Sequence, residues 1–224
     1  MFSPLAHAND WAVISYRIED PPYHFSALPD LDLDMVDFGP LSGPKSVVLN
    51  LLNSSPAVCD RVAECSGGEF RGLRVIRDPR QVLVSGYFHH RDGHPIASEN
   101  GFVWDALARD RPVLRSMSVE DGLIYEMDHI GGEVLEEQLR PIWGDHRILE
   151  VRVEDVNEDR ETFLEQLWNH LGVATPPNVS WGQQFSDSGA GEWRQHFTPA
   201  ATNAFKDRFG DLLVELGYEA GTDW

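Results

Sequence analysis

The run from Leu73 to Tyr87 (LRVIRDPRQVLVSGY) constrains this chain more than any other, because an apolar strand empties directly into a basic turn that opens a helix. Pro79 suits the first turn of that helix, where its missing N–H has no helical partner and its φ is already set. A strand running into a helix N-terminus presents unpaired backbone N–H groups and the positive end of the helix dipole, so phosphate is the expected ligand. Arg77 adds a bidentate cation and Ser85, eight residues on, adds a hydroxyl donor. Taken alone, the turn reads better as a strand-turn-helix whose arginines meet surface carboxylates.

Further apolar runs from Ala12 to Tyr16, Ser46 to Leu52 and Ile148 to Val153 read as strands. The nearly all-apolar Ser46–Leu52 and Leu73–Ile76 have the composition of strands buried on both faces of a parallel sheet. Gly122 to Arg140 reads as an amphipathic helix interrupted by Gly131-Gly132. A last helix starts at an N-cap Thr198 with Pro199 first in the helix, carries a stripe of Phe205, Phe209, Leu212, Leu213 and Leu216, and stops at Gly217. Strands alternating with helices predict an α/β fold, a three-layer α/β/α arrangement around a mostly parallel central sheet. The length of 224 residues suits a single domain, with 1–45 atypical or incomplete, and Leu28 to Pro44, crowded with Pro and Asp, reads as a polar connector.

Charge excludes several partners. There are 37 Asp and Glu against 18 Lys and Arg, a formal net charge of −19, which repels nucleic acid and anionic membranes. An anionic ligand then requires the cations to be gathered, and Arg71, Arg74, Arg77, Arg80 and Arg91 do fall within 21 residues. No run approaches the ~20 apolar residues of a membrane span, and the N-terminus lacks the basic start and apolar core of a signal peptide. The two cysteines, Cys59 and Cys65, match no zinc or redox pattern, so the expectation is a cytoplasmic protein without a metal.

The block around Arg77 resembles the 3'-phosphate motif of sulfotransferases that use 3'-phosphoadenosine 5'-phosphosulfate (PAPS), with Arg77 and Ser85 standing where that family holds the 3'-phosphate. Gln81 stands in for the usual acidic residue and is expected to cap the helix. Far downstream, Gly191-Glu192-Trp193-Arg194-Gln195-His196-Phe197-Thr198 is similar to the family's Gly-Asp-Trp-Lys/Arg-x-x-Phe-Thr block. Ile148 to Val156 and Phe163 to Val173 are similar to the strand and helix between the two motifs, so the resemblance spans roughly residues 47 to 219.

The resemblance implies a P-loop-like fold and transfer of a sulfuryl group from PAPS, the co-substrate, to a hydroxyl or amine on a small-molecule or glycan acceptor. Such a transfer needs alignment, charge stabilisation and a general base. Histidine is the family's usual base, and the candidates are His90, which corresponds to a position lining the acceptor pocket, and His89, one turn after Ser85 on the same face. The usual base position falls near Asn53 to Ala57, where there is no histidine. Arg194 is the candidate substitute for missing downstream cations, because Ser186, Asp187 and Ser188 occupy the place of the family's Arg-Lys-Gly. Glu154 and Asp155, just after a strand, are candidates for holding a base or for capping a turn.

The 5'-phosphosulfate loop is the departure. Gly43-Pro44-Lys45-Ser46 has no glycine after the serine and no threonine, and Ser15-Tyr16-Arg17 lacks both glycine and lysine. Either the loop precedes Met1 or the chain has diverged, and on both accounts residues 1–224 alone are expected to turn over slowly. The alternative function is a non-catalytic relative that binds an adenine nucleotide or a protein. A P-loop kinase relative would need Gly-x-x-x-x-Gly-Lys-Ser/Thr, which the sequence lacks.

Overall fold

The computed structural model describes residues 60, 63–64, 70–97, 103–138, 145–172 and 192–224, with the backbone of 12–15 and 47–50. Both candidate loop motifs other than Ser15, the Asn53–Ala57 segment, Ser186–Ser188, Gly191 and the two cysteines lie outside the described residues. The chain divides into two compact units, 1–18 with 29–76 and 142–188, and 19–28 with 77–141 and 189–224.

The first unit carries the strands. β1 (Ala12–Ser15) pairs in parallel with β2 (Val47–Asn50), and β3 (Gly72–Ile76) pairs in parallel with β4 (Ile148–Arg152). The four strands fall within the segments expected from sequence, to within a residue or two, and their pairing is parallel, which makes the chain α/β. Among the described residues they form two two-stranded pairs.

β3 is not apolar on both faces. Val75 is 41% exposed while Arg74 and Ile76 are buried, because Arg74 sits opposite Glu150 in the register and donates Nη1 to its carboxylate at 2.8 Å. α5 (Val153–Glu158) and α6 (Arg160–Leu171) follow β4. Glu154 and Asp155 occupy the first turn of α5, where the dipole favours them. Val156, Phe163 and Leu167 form a core against Leu73, Leu149 and Val151, so α6 covers the β3–β4 pair. Asp159 caps α6 by accepting from the Thr162 N–H, and Gly172 ends it at φ +67°, a left-handed conformation that glycine adopts without a Cβ clash.

Among the described residues the second unit is helical. It holds α1 (Pro79–Phe88), a π turn (His89–Gly93), α2 (Asp105–Ser116), α3 (Val119–Met127), α4 (Ile130–Gln138), α7 (Trp193–His196) and α8 (Pro199–Glu215). Thr198 caps α8 through the Ala201 N–H, and Phe205, Phe209 and Leu213 are buried as the stripe predicts. The expected single helix from Gly122 is two, broken at Asp128 and His129 ahead of the glycines. Gly131 and Gly132 lie instead in the first turn of α4, where the end of α3 comes too close for a side chain. A Cβ on Gly132 would stand 2.0 Å from the Met127 carbonyl oxygen. Gly122 is similarly forced, with the fully buried Tyr87 ring 2.5 Å from where its Cβ would be.

Candidate functional site

Asp78, the acid of the Arg-Asp-Pro-Arg turn, is the N-cap of α1. Its carboxylate accepts from the Arg80 N–H at 2.9 Å, and its carbonyl accepts from the Gln81 and Val82 N–H groups at 2.9 and 3.0 Å. The open amides expected at this helix start are therefore already satisfied, and an anion here would rely on side chains.

The gathering of arginines is likewise narrower than the sequence suggests. Arg74 is paired in the strand, and Arg80 is 2% exposed. Its guanidinium bonds both oxygens of Asp78, forms an ion pair with Glu219, and lies between the Trp193 and Trp224 rings at 4.0 and 4.5 Å. Burial is the largest influence and opposes its charge, yet the bonds to Asp78 and Glu219 hold its pKa above the usual arginine value. Arg91 donates to Asp92 and to the Tyr87 hydroxyl.

Arg80 and Gln81 also join the two sequence motifs. Gln81 Oε1 accepts from the Trp193 N–H at 3.1 Å, so it caps the start of α7 and not its own helix. Trp193 is 6% exposed and packs on Phe197, Trp224 and the Arg80 guanidinium. Arg194 is exposed with its guanidinium over the Trp193 ring at 4.4 Å.

An open cleft of about 800 Å³ is lined by Arg77, Val82, Ser85, Gly86, Phe88, His89, Asp92 and Gly93. Arg77, Ser85 and His89 thus come together as the sequence predicts, whereas His90 and Arg194 are not among the lining residues. Asp92 was not foreseen, yet it continues the 85, 89, 92 spacing that puts residues on one helical face. Its carboxylate already accepts from Arg91 Nε at 2.7 Å.

The adjacent histidines diverge. His89 is exposed on the cleft, with its ring edge-on to His94 at 4.8 Å. Its pKa lies below the usual histidine value, first because the surrounding protein partly desolvates it and then because His94, His90 and Arg111 place positive charge nearby. His90 is 7% exposed, packs edge-on to Trp104 at 5.4 Å, and bonds through Nδ1 to Glu126, a side chain that is 1% exposed. His90 is turned from this cleft toward the buried Glu126 carboxylate. Nothing in the sequence marks Glu126, since its partner is 36 residues away and on another helix.

The donor set in the cleft, a guanidinium, a hydroxyl and an imidazole, fits a phosphate-bearing ligand, and the volume lies in the range of small-molecule sites. Among the described residues no group of three or more His, Cys, Asp or Glu side chains is disposed to hold a metal, and no helix is long and apolar enough to cross a membrane.

No protein-family model matches the chain, and no curated protein matches it. Among solved structures it is similar to a mouse sulfotransferase, SULT7A1, crystallised in complex with PAP, at 14% identity and a TM-score of 0.42 over 94% of this chain and 88% of that one. A likeness at that level leaves function to be argued from the chain's own residues.

Proposed function

We propose that the cleft is the 3'-phosphate site of a PAPS-dependent sulfotransferase and that the chain is a single sulfotransferase-like, cytoplasmic domain of three-layer α/β/α architecture. The observation that carries the reading is that Arg77 and Ser85, paired by the sequence motif alone, line one cleft together with His89. PAPS supplies the sulfuryl group, which passes to a hydroxyl or amine of a small-molecule or glycan acceptor. Arg77 and Ser85 hold the nucleotide by its 3'-phosphate, and His89 takes the acceptor's proton on a ring nitrogen. A lowered pKa suits that task, because the imidazole stays neutral further into the acid range. His90, 7% exposed and outside the cleft lining, is not placed to reach that acceptor.

The test is calorimetry with adenosine 3',5'-bisphosphate. Wild-type chain should bind it, weakly, and Arg77→Ala should lose the binding, since charge-assisted hydrogen bonds are worth roughly 1.5–3 kcal/mol each. Equal binding by the two proteins refutes the assignment. Ser85→Ala should cost less, as a neutral donor.

A second reading, a non-catalytic nucleotide-binding relative, is favoured by one observation: the sequence has no glycine-lysine phosphosulfate loop, only Gly43-Pro44-Lys45-Ser46. Loss of even one preorganised donor at a leaving group costs roughly a hundred- to a thousand-fold in rate. Robust turnover by residues 1–224 across a panel of phenols, sugars and amines would overturn this second reading.

A further inference from the structure

The π turn at the end of α1 is tied down from three sides within the helical unit. Glu126 of α3 holds the His90 ring through Nδ1. Arg111 of α2, 8% exposed, donates Nε to the His90 carbonyl at 2.7 Å and Nη2 to the His94 carbonyl. Arg115 donates Nε to the Arg91 carbonyl at 2.9 Å. A π turn widens the backbone ring, here closed by the His94 N–H on the His89 carbonyl, and leaves carbonyls that an α-helix would have bonded onward. Single-turn π segments cost helical regularity and concentrate at functional sites.

The ties exceed what packing requires. Glu126 is nearly inaccessible, and its Oε2 is buried with no hydrogen-bond partner among the described residues. A carboxylate kept in that state costs stability relative to an apolar residue of the same shape. Burial also lowers the pKa of Arg111, the largest influence on it, with the Arg115 charge adding to the effect. Two strongly polar side chains are thus buried, and both grip the same five-residue turn that bears His89.

We propose that Glu126 and Arg111 are positioning residues: by anchoring the His90 ring and the His90 and His94 carbonyls, they hold the π turn in the register that sets His89 on the cleft with Ser85. This rests on the reading of His89 as the proton acceptor. Neither residue lines the cleft, so neither touches the ligand. Among the described residues the titratable and charged groups facing His89 include His90, His94 and Arg111, with Arg77 and Asp92 on the same cleft.

The experiment is histidine NMR on the full chain with ¹⁵N-labelled imidazoles, assigned with His89→Gln and His90→Gln. In the wild type His90 should show one fixed tautomer with the proton on Nδ1, since its partner is a carboxylate. Glu126→Leu should replace this with the mixed tautomers of a free imidazole. Arg111→Gln should move the His89 titration midpoint upward, because a nearby cation is lost. Both variants should retain adenosine 3',5'-bisphosphate binding through Arg77. Should Glu126→Leu fail to fold, Glu126→Gln serves, which keeps an acceptor oxygen and so should keep the tautomer. Unmoved His89 and His90 signals in folded Glu126→Leu and Arg111→Gln overturn the proposal. If the signals move as expected while His89→Gln turns over as fast as wild type, the positioning stands and the reading of His89 as the base falls.

Discussion

The strand-bearing unit and the helical unit treat their charges differently. In the first, polar groups meet along the β3–β4 pair and the turn that leads into β4. Arg74 meets Glu150 across the register, Arg147 folds back on Asp145, and the His170 ring sits 3.0 Å from the Gly72 and Arg147 carbonyls. In the second, buried charges are joined between packed helices and the C-terminal segment, Arg80 to Glu219 and His90 to Glu126. A sheet register aligns partners directly, as it does Arg74 and Glu150. Helices packed side by side must bury polar groups whenever a turn between them has to be fixed.

Arg80→Ala is the strongest way to break that contrast. It leaves Asp78 and Glu219 without their shared cation and empties the space between two tryptophans, so denaturant unfolding should register a loss of about 3–5 kcal/mol. Arg80→Lys should recover little, because an ammonium cannot reproduce the fork and the stacking. Gly132→Ala should cost about 3 kcal/mol in the same measurement, since the obstructing atom is the Met127 backbone oxygen and cannot rotate away.

The strand unit should be more tolerant. Arg74→Ala should cost about 1 kcal/mol, because Glu150 retains access to water once its partner is gone. A loss equal to that of Arg80→Ala would erase the distinction between the units. The smallest effect is a pH dependence. Hydrogen bonds from Arg147 are the main cause that lowers the Asp145 pKa from 3.8 to about 2. A depressed carboxylate contributes stability that is present above its unfolded value and is lost as pH falls through its folded one. Wild-type stability should therefore decline between pH 3.8 and about 2, and Asp145→Asn should flatten that part of the acid limb. An unchanged limb in the variant would show that other carboxylates govern it.

Much of the local structure was legible in the residues. Apolar runs marked β1 to β4, Pro79 and Thr198-Pro199 marked helix starts, and the Phe205, Phe209, Leu213 stripe marked the buried face of α8. Ser85 and His89 could be put on one face from spacing alone. α2 escaped notice because it is rich in charge and carries Pro112 in its interior, which reads as a break. The end of α3 was misplaced because glycines were read as breakers, when here they permit close approach. The role of Gln81 was half legible: a capping group was expected, but not for a helix 112 residues away.

The sequence by itself determined which segments become strands and helices and that Arg77 and Ser85 share a strand-turn-helix block, because those outcomes follow from periodicity and capping within a few residues. Only the tertiary structure decided that Arg80 is a buried strut while Arg77 lines a cleft, and that His90 turns inward to Glu126 while His89 faces out. In each pair the residue types are the same and the positions nearly adjacent. What separates them is a distant partner, Glu126 for His90 and, for Arg80, Glu219 and two tryptophan rings added to the neighbouring Asp78, and the energy of burying a charge depends on such partners.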